Sequence, residues 1–434
     1  MKIAYLSLGC PKNQVDLETI LGGLSAHATI VEETQEADVV IINTCAFIES
    51  AKRESIDSIF DIAALKDIHP QLKILVTGCL PQRYAQHVAE LIPEVDRFFY
   101  DISAEKTLQE IREYLQHPSI DAANRRFLNP PHYAYLRIAE GCNNRCSYCA
   151  IPLIKGEFKS RPFNEIIQDA QELAKRGVKE LLLIAQDTTF YGRDLSLDLS
   201  LQNVLTDLDQ IDGIKWIRLL YTHPAHWNDE LINAIASLDK VVPYVDIPIQ
   251  HISDPILRRM GRNVTREEIE KLIAKIRRLV PDVVLRTSII TGFPGETREN
   301  FAELYNFLQE IRFERLGVFT YSHEEETRAF RYKDDVPEEV KRERRHIIMQ
   351  LQADLAEERN SALIGTTLKV IVDEVDAKQH IAYARSQWDA PEIDGNIFLT
   401  DHVLEGEFYD VLIQESHLYD LNGAVVGRPG GTNS

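Results

Sequence analysis

The chain lacks a long hydrophobic run. None of its apolar stretches reaches the ~18 residues that a transmembrane helix needs, and the first residues, MKIAYLSLGCPKN, lack the layout of a cleavable signal peptide. Internal repeats and low-complexity tracts are also missing, which excludes a solenoid and a long disordered tail. We therefore expect a cytoplasmic, globular protein without a membrane partner.

Basic residues are in deficit. The 434 residues include 48 Lys and Arg against 68 Asp and Glu, so the formal net charge is -20. An acidic protein repels phosphate backbones and attracts basic proteins, although solubility alone explains such a charge equally well. The length predicts about three domains, and the 44% hydrophobic content is enough to build their cores.

Only six cysteines are present, and they fall into two groups of three. The central group, Cys142, Cys146 and Cys149 in the string GCNNRCSYCAIP, has no fourth cysteine nearby. Structural zinc usually takes four ligands, whereas a 4Fe-4S cluster held by three cysteines keeps one iron open. Reduced core cysteines and a zinc site are the alternatives. The polar residues between these thiols favour a metal loop.

The other three cysteines lie in a predicted open parallel α/β sheet domain, residues 1–118. Cys10, Cys45 and Cys79 each follow a short apolar run, KIAYLSL, ADVVIINT or KILVTG, and precede a helical pattern. Ligands bind at the carboxyl edge of such sheets, so these thiols are expected to meet there; core packing is the alternative. The segment 116–132, rich in Pro and Asn, is predicted to be a linker.

Strands and helices alternate in the central part, residues 132–362. Six strand candidates separated by helices predict an incomplete (β/α)6 barrel whose functional groups follow the strands. The candidates are AYLRIAE, ELLLIAQ, IRLLYT, YVDIPI, VVLRTSII and LGVFTYS. A helix from Pro337 to about Ala362 is predicted to close this part. Short β runs in 365–434 predict a small antiparallel β-barrel.

Polar residues follow several of the central strands. Asp187 lies in AQDTTFYGRD after the second strand, and Gln250 and His251 follow the fourth, where the alternation of YVDIPI predicts that both are exposed. Arg286 lies within the fifth strand and could pair with a cofactor carboxylate. Each has a plainer alternative: a turn ending a strand, a hydrogen bond to the loop, or a structural salt bridge.

The motifs resemble a known family. A CxxxCxxC motif with an aromatic, Tyr148, before the last cysteine is the pattern of radical S-adenosylmethionine enzymes. The strings LGCPKNQVDLE, NTCAFIESAKRESID, GCNNRCSYCAIPLIKG, AQDTTFYG and PIQHISD resemble the RimO-type methylthiotransferases over nearly the entire chain. The tRNA-modifying branch characteristically reads GCQMN at the first cysteine instead.

This resemblance implies two 4Fe-4S clusters, one on each cysteine triplet, and S-adenosylmethionine as the second cofactor. The triplet Cys142, Cys146 and Cys149 would hold the cluster that cleaves S-adenosylmethionine, and Cys10, Cys45 and Cys79 an auxiliary cluster that carries the transferable sulfur. The residues expected to contact S-adenosylmethionine are Tyr148, Asp187, Gln250 and Arg286. No catalytic side chain is assigned beyond the cluster ligands.

The resemblance also implies a reaction and its partners. A methylthio group would be installed on the β-carbon of an aspartate in small-subunit ribosomal protein S-twelve, with electrons from a donor such as a flavodoxin or ferredoxin. The terminal β-barrel would be a TRAM domain. The alternative functions are a tRNA adenosine methylthiotransferase and, in another class, an iron-sulfur electron carrier or sensor.

Charge in the terminal barrel bears on the choice of substrate. Residues 366–434 contain 12 Asp and Glu against 4 Lys and Arg, a formal charge of -8. Such a surface disfavours RNA phosphate, except for contact through the ribosome, and suits a basic ribosomal protein. The run Glu324-Glu325-Glu326 would add to this field, unless it is only a solvated loop.

Overall fold

The computed structural model describes residues 1–116, 125–195 and 199–427. The N-terminal strands are β1 (Lys2–Ser7), β2 (Thr29–Ile30), β3 (Val39–Thr44), β4 (Lys73–Gly78) and β5 (Arg97–Phe98). They form a parallel sheet in the order β2-β1-β3-β4-β5. All six residues of β3 are buried, as expected for a central strand covered on both faces.

Helices cover both faces of this sheet. They are α1 (Pro11–Leu24), α2 (Glu49–Ala63), α3 (Cys79–Tyr84), α4 (Gln86–Leu91) and α5 (Ala104–Leu115). Pro11 occupies the first turn of α1, where the missing N–H costs nothing. The Ser103 side chain caps α5 by accepting from the Lys106 N–H. The predicted open α/β sheet is therefore confirmed. The predicted boundary at residue 118 and much of the predicted linker, 117–124, lie outside the described residues.

The central strands are β6 (Tyr133–Arg137), β7 (Ala139–Glu140), β8 (Lys159–Ser160), β9 (Glu180–Ile184), β10 (Trp216–Leu219), β11 (Val241–Asp246), β12 (Val284–Thr291) and β13 (Arg315–Thr320). Six of them form a parallel sheet in the order β13-β12-β11-β10-β9-β6, and β7 and β8 form a separate antiparallel pair. All six predicted central strands are present. Because β6 and β13 lie at opposite edges, the barrel is incomplete, as predicted.

The helices of this part are α6 (Ile151–Lys155), α7 (Phe163–Lys175), α8 (Leu201–Asp209), α9 (Asp229–Ser237), α10 (Asp254–Met260), α11 (Arg266–Leu279), α12 (Arg298–Ile311) and α13 (Glu338–Ala362). Capping boxes begin α8, α11 and α12, with Ser200, Thr265 and Thr297 as the first capping residues. The apolar faces of these helices pack with the sheet in the largest core cluster of the protein. This packing leaves the carboxyl ends of the strands to carry loops.

The last strands are β14 (Thr367–Asp376), β15 (Ile381–Ser386), β16 (Ile397–Leu399), β17 (Phe408–Ser416) and β18 (Leu421–Gly427). They close into a barrel in the order β14-β15-β16-β18-β17, which confirms the predicted small β-barrel. Four of the pairings are antiparallel, and the pairing of β16 with β18 is parallel. Residues 428–434, the end of the predicted barrel segment, lie outside the described residues.

The C-terminal barrel closes the interior of the central sheet near the beginnings of its strands. Arg385 pairs with Glu180 at 2.6 Å and with Asp373 at 2.6 Å, and Tyr244 donates to Asp394 at 2.7 Å. Further polar contacts across this boundary join Tyr133 to Glu392, Arg315 to Asp389, Lys179 to Glu407, and His132 to Asp373. Some acidic residues of the C-terminal barrel, Asp389 and Glu407 among them, are thus paired with basic side chains of the central part.

The run of three glutamates joins the N-terminal sheet to the central one. Glu324 is 2% exposed and accepts from Arg83 at 2.9 Å, and Lys52 lies 3.3 Å away. Tyr84 donates to Glu325 at 2.7 Å. Both interpretations of this run, an acidic field and a solvated loop, are wrong for Glu324, because two basic side chains from the N-terminal part cover it.

None of the helices in the part of the chain described by the structure has the length and apolar character needed to cross a bilayer.

Candidate active site

The N-terminal cysteines meet at one edge of the first sheet. Cys10 immediately precedes α1, Cys45 follows β3, and Cys79 begins α3 directly after β4. Because β1, β3 and β4 are adjacent and parallel, their carboxyl ends place these residues side by side. The Asn13 side-chain oxygen lies 3.6 Å from both the Cys10 and the Cys79 sulfur. The predicted convergence of the three thiols is therefore observed.

Two glycines make room for this arrangement. Gly78, at φ 94°, adopts a backbone conformation that suits glycine, and a Cβ there would lie 2.3 Å from the Asn43 side-chain oxygen. Gly9, at φ 105°, lies against Cys45, whose Cβ would be 3.0 Å from a Cβ added at Gly9. The backbone before Cys10 and Cys79 can approach its neighbours this closely only because these side chains are absent.

Burial sets the chemistry of the first triplet. Burial, together with the neighbouring thiols of Cys10 and Cys45, raises the pKa of Cys79 to about 12, and burial also raises the pKa of Cys45. Lys155 acts in the opposite direction on Cys79. Thiols in such surroundings are poor free nucleophiles. Three clustered sulfur donors are suited to bind iron, and the positive charge of the iron favours the thiolate form.

The central cysteines lie on a loop that the surrounding backbone holds on several sides. The Cys142 N–H donates to the Gly156 carbonyl at 3.2 Å, and the Ser147 N–H donates to the Met260 carbonyl at 2.7 Å. Gly141, at φ 77°, passes so close to Glu157 that a Cβ would lie 2.1 Å from its carbonyl oxygen. This loop is thus a rigid part of the fold rather than a mobile surface segment.

The three central thiols line a cavity of about 610 Å³ together with Arg145, Leu153 and Arg328, among other residues of the loop and of the segment after β13. Burial raises the pKa of Cys142 to about 11 and also raises the pKa of Cys149. Arg262 points a guanidinium N–H at the Cys146 sulfur, at 3.7 Å. A cation beside one thiol, three sulfur donors and an adjacent cavity fit a cluster with one open iron.

Asp187 holds the loop of the central cysteines in position. Its carboxylate accepts from the Asn144 amide at 2.6 Å and the Thr189 hydroxyl at 2.6 Å, and lies 2.7 Å from the His226 Nδ1. Burial opposes ionisation of Asp187, but its hydrogen bond with His226 and the charges of His226 and His223 outweigh burial and lower its pKa. The predicted contact of Asp187 with S-adenosylmethionine stays a prediction. The observed contacts give it a positioning role.

The other predicted cofactor contacts differ in their positions and surroundings. Tyr148 packs edge-on against Phe293, with ring centroids 6.4 Å apart. Gln250 adopts a left-handed backbone at φ 69° and is half-buried. Arg286 pairs with Asp246 at 2.8 Å, which is the structural salt bridge offered as its alternative. Their contact with a cofactor stays a prediction.

The expected exposure of His251 is wrong. The residue is fully buried, and its Nδ1 accepts from the Ser253 N–H at 3.0 Å while its Nε2 lies 3.8 Å from Glu296. The strand ends at Asp246, so the alternation of the strand no longer applies at His251. It supports the loop after β11 instead of facing the site.

Sequence reasoning missed three residues at this rim. His223 and His226 follow β10 and stack with ring centroids 4.8 Å apart, and their nitrogens and the Asp187 carboxylate lie within 4.8 Å of one another. The rule that loops after strands carry function could have indicated them. Arg262 follows α10 in an ordinary helix-to-loop segment, and nothing in its pattern marks it.

The two triplets lie on facing parts of the molecule. Ala150 and Ile154, which directly follow the central cysteines, pack in the same core cluster as Ala46, Cys79 and Leu80 of the N-terminal part. The short helix α6 is thus shared between the two thiol groups. The fold brings both sulfur sets to the same side of the central sheet.

Three regions of the chain match known families. The Uncharacterized protein family UPF0004 matches residues 2–100, the Radical SAM superfamily matches residues 136–308, and the TRAM domain matches residues 364–426. The first match covers the N-terminal sheet, the second covers most of the central sheet but not β13, and the third covers nearly all of the terminal barrel. The middle match includes the loop of Cys142, Cys146 and Cys149.

Curated relatives match over nearly the full length. The ribosomal protein uS12 methylthiotransferase RimO of Geotalea uraniireducens is 44% identical over 440 residues, 98% of each chain. The chain belongs to the RimO family. The RimO proteins of Geobacter sulfurreducens, at 44%, and of Clostridium botulinum, at 43%, cover the same share of both chains. The protein is therefore a radical SAM methylthiotransferase, a class that uses a 4Fe-4S cluster and S-adenosylmethionine.

Solved structures of other radical enzymes share the fold. The radical S-adenosylmethionine methyltransferase TsrM from Kitasatospora setae matches with a TM-score of 0.56 and 12% identity, covering 74% of this chain and 71% of that one. The cobalamin-dependent enzyme OxsB matches with a TM-score of 0.51 and 12% identity, covering 76% and 54%. At this identity the likeness shows the architecture alone.

Proposed function

We propose that this RimO-family enzyme replaces a C–H bond on the β-carbon of an aspartate in ribosomal protein uS12 by a C–SCH3 bond. The observation that carries the proposal is the meeting of two separate thiol triplets on one side of the central sheet, one of them beside a cavity. The relatives that cover 98% of the chain are named ribosomal protein uS12 methylthiotransferases, which supports this proposal.

The proposal assigns one cluster to each triplet. Cys142, Cys146 and Cys149 would hold the cluster that binds S-adenosylmethionine, and Cys10, Cys45 and Cys79 an auxiliary cluster. Bound there, these cofactors would supply the electron, the radical that takes up the abstracted hydrogen, the sulfur and, from S-adenosylmethionine, the methyl group, which side-chain acid-base chemistry does not provide for an unactivated C–H bond. Three sulfur donors in each set, each expected to leave one iron open, support this assignment.

The protein's own residues orient the central cysteine loop and shield the site from water. Asp187 fixes the central cysteine loop through Asn144, and Arg262 places a positive charge beside Cys146. Tyr148 and Phe293 form an apolar wall next to the same loop. These contacts support a site that keeps water and stray hydrogen donors away from a reactive radical.

The expected partners follow from this reaction. Ribosomal protein uS12, free or in the small subunit, is the proposed substrate, which would place the enzyme with the ribosomes in the cytoplasm. A flavodoxin or ferredoxin is the proposed electron donor. Exposed carboxylates that have no part in the contacts between the sheets, such as Glu374 and Asp401, support a basic protein surface over RNA phosphate.

The test is anaerobic reconstitution followed by mass spectrometry. The enzyme with iron, sulfide, reductant and S-adenosylmethionine is incubated with purified uS12, with small subunits and with unmodified tRNA. We expect a gain of one methylthio group on an aspartate of uS12. Modified tRNA beside unmodified uS12 would show the alternative, a tRNA adenosine methylthiotransferase.

Iron content tests the two clusters separately. The reconstituted protein should contain about eight irons per chain, and replacing Cys10, Cys45 and Cys79 together by alanine should leave about four. The matched replacement of Cys142, Cys146 and Cys149 should also leave about four. About four irons in the unchanged protein would contradict the auxiliary cluster.

A further inference from the structure

Lys12 spans the boundary between the N-terminal and central sheets. The residue lies in the first turn of α1, two positions after Cys10, and its side chain crosses to the carboxyl ends of β9 and β10. Its ammonium lies 3.4 Å from the Ala185 carbonyl oxygen and 3.4 Å from the centre of the Tyr221 ring. Ala185 is two positions before Asp187, which holds the central cysteine loop. The charge of Lys12 therefore lies between the two thiol triplets.

This ammonium is buried without an anion. Lys12 is 7% exposed, and in the described ranges of the chain no carboxylate oxygen lies within the 4.0 Å of an ion pair. Two other lysines are equally buried, and both have carboxylates: Lys155 has Asp16 at 3.5 Å, and Lys341 has Asp334 at 2.7 Å. Burying a charge is costly unless it is paired, so the exception at Lys12 indicates a counter-anion that is not one of the chain's own carboxylates.

The proposed reaction supplies such an anion. The reacting β-carbon of an aspartate is bonded directly to its side-chain carboxylate, so an aspartate poised between the two triplets carries its negative charge into this gap. The Tyr221 ring face and the Ala185 carbonyl already orient the ammonium. A charge-assisted hydrogen bond in a site with little water is both strong and directional.

We propose that Lys12 binds the side-chain carboxylate of the target aspartate and thereby selects an acidic residue as the substrate, an inference that rests on the proposed function. Asparagine, with nearly the same shape, would offer the ammonium only a neutral amide oxygen in place of a carboxylate. Lys12 is thus a determinant of specificity and holds the β-carbon in place. It takes no part in binding iron.

The test measures binding in the absence of turnover. Reconstituted enzyme without S-adenosylmethionine is titrated anaerobically with uS12 and with uS12 in which the target aspartate is asparagine. The unchanged enzyme should bind the aspartate form about 10- to 100-fold more tightly. In Lys12→Met this preference should vanish because binding of the aspartate form weakens. Lys12→Arg, which keeps the charge, should retain most of it.

A charge-matched control is Lys106→Met, which removes an exposed lysine of helix α5 in the N-terminal part, and it should retain the full preference. Equal binding of both uS12 forms by the unchanged enzyme would overturn the proposal, as would an undiminished preference in Lys12→Met. Weaker binding of S-adenosylmethionine with an intact preference would assign Lys12 to the cofactor carboxylate instead. Loss of iron or of the fold in Lys12→Met would also contradict it, because the proposal gives Lys12 no such role.

The failure of this inference is distinguishable from failure of the proposed function. If unchanged enzyme does not methylthiolate uS12 at all, the function itself is wrong. If it modifies the aspartate while Lys12→Met still discriminates aspartate from asparagine, only the role of Lys12 is wrong.

Discussion

Asp187 shows how one buried carboxylate organises a metal loop. It joins Asn144 between two cysteines to His226 on the next strand's loop, so the loop's position depends on a residue 43 positions away in sequence. Residues that orient ligands in this way commonly affect metal affinity or activity by about 10- to 100-fold.

Replacing Asp187 by asparagine tests this role. An asparagine presents an N–H where the Asn144 amide or His226 needs an acceptor, so the cysteine loop should lose its register. We expect the rate of S-adenosylmethionine cleavage to fall about 10- to 100-fold, with iron at the central triplet reduced. Product analysis for 5′-deoxyadenosine measures the rate. Asp57→Asn, an exposed change, serves as the control and should have no effect.

The buried state of His251 predicts a dependence of stability on pH. Burial and the nearby Arg344 charge lower the pKa of His251 to about 3 from the ordinary 6.5. Between these values the unfolded chain binds a proton that the folded chain does not. Stability is therefore complete above about pH 6.5 and is lost as the pH falls.

Denaturant unfolding at pH 6.5 and 5.0 checks this prediction. His251→Gln should reduce the slope of unfolding free energy against pH by up to about 1.4 kcal/mol per pH unit. His69→Gln, at an exposed position, should leave the slope almost unchanged. A slope in His251→Gln equal to that of the unchanged protein would contradict the assignment.

Among individual residues, the sequence predicted where the cysteines lie better than it predicted the contacts of charged and polar side chains. The cysteines could be placed at strand ends because each follows an apolar run and precedes a helix. The pairing of Arg286 with Asp246 and the burial of His251 depend on how neighbouring strands end, which no local pattern contains. For the same reason, the sequence did not indicate that Lys12 is buried without a carboxylate partner.

Among the elements, the turn from β4 to α3 tightly restricts the position of Cys79, a proposed cluster ligand. Cys79 is the first residue of α3, and the preceding Gly78 lies against the backbone of the neighbouring strand: a Cβ would be 2.5 Å from the Thr44 carbonyl oxygen. Any side chain at Gly78 must move either β3 or Cys79.

Gly78→Ala should therefore destabilise the protein by about 3 kcal/mol or more and deplete the auxiliary cluster. Gly177→Ala is the matched control, since Gly177 has a similar φ of 91° but open space around its Cα. It should cost only the conformational penalty, about 1–2 kcal/mol, and keep its iron. Thermal unfolding and iron analysis separate the two. Equal effects from both variants would show that close packing at Gly78 is unimportant.

Elements were the most predictable level. The six central strands, helix α13 and the five strands of the terminal barrel were all recognisable, because long periodic segments and turn residues mark them. The two-residue strands β2 and β5 are too short to show a period. The parallel pairing of β16 with β18 arises from closure of the barrel, which is a property of the whole set of strands.

For the whole molecule, the ion pair of Arg83 with Glu324 carries much of the docking between the N-terminal and central parts. Both side chains are almost completely buried, at 0% and 2% exposure. Breaking such a pair strands a charge, whereas replacing both partners by apolar residues is often tolerated.

Arg83→Met should lower the unfolding free energy by about 3 kcal/mol, at the lower end for a buried pair because Lys52 still faces Glu324. The double variant Arg83→Met with Glu324→Met should recover part of this loss. The exposed pair of Lys271 with Glu267 is the comparison, with an expected coupling of about 0.5 kcal/mol or less. A coupling as small at Arg83 and Glu324 would show that this ion pair adds little to the attachment of the two parts.

The length of the chain predicted about three domains, but the contacts between the domains could not be predicted from the sequence. The three glutamates suggested a surface field, and the charge of the terminal barrel suggested a docking face. In the structure, Glu324 and some of the barrel carboxylates, such as Asp389 and Glu407, pair within the chain, whereas others, such as Glu374 and Asp401, stay exposed. Charges that compensate each other across sheets far apart in sequence cannot be assigned before the sheets are assembled.

The seam between the terminal barrel and the central sheet limits how these enzymes can be recombined. Asp373, Arg385, Asp389, Glu392 and Asp394 each have polar partners in the central sheet. A terminal barrel taken from a relative with another substrate would have to pair with Glu180, Arg315 and Tyr244 of this central sheet. A working chimera must carry both sides of this boundary, so the terminal barrel and the central sheet must be exchanged together.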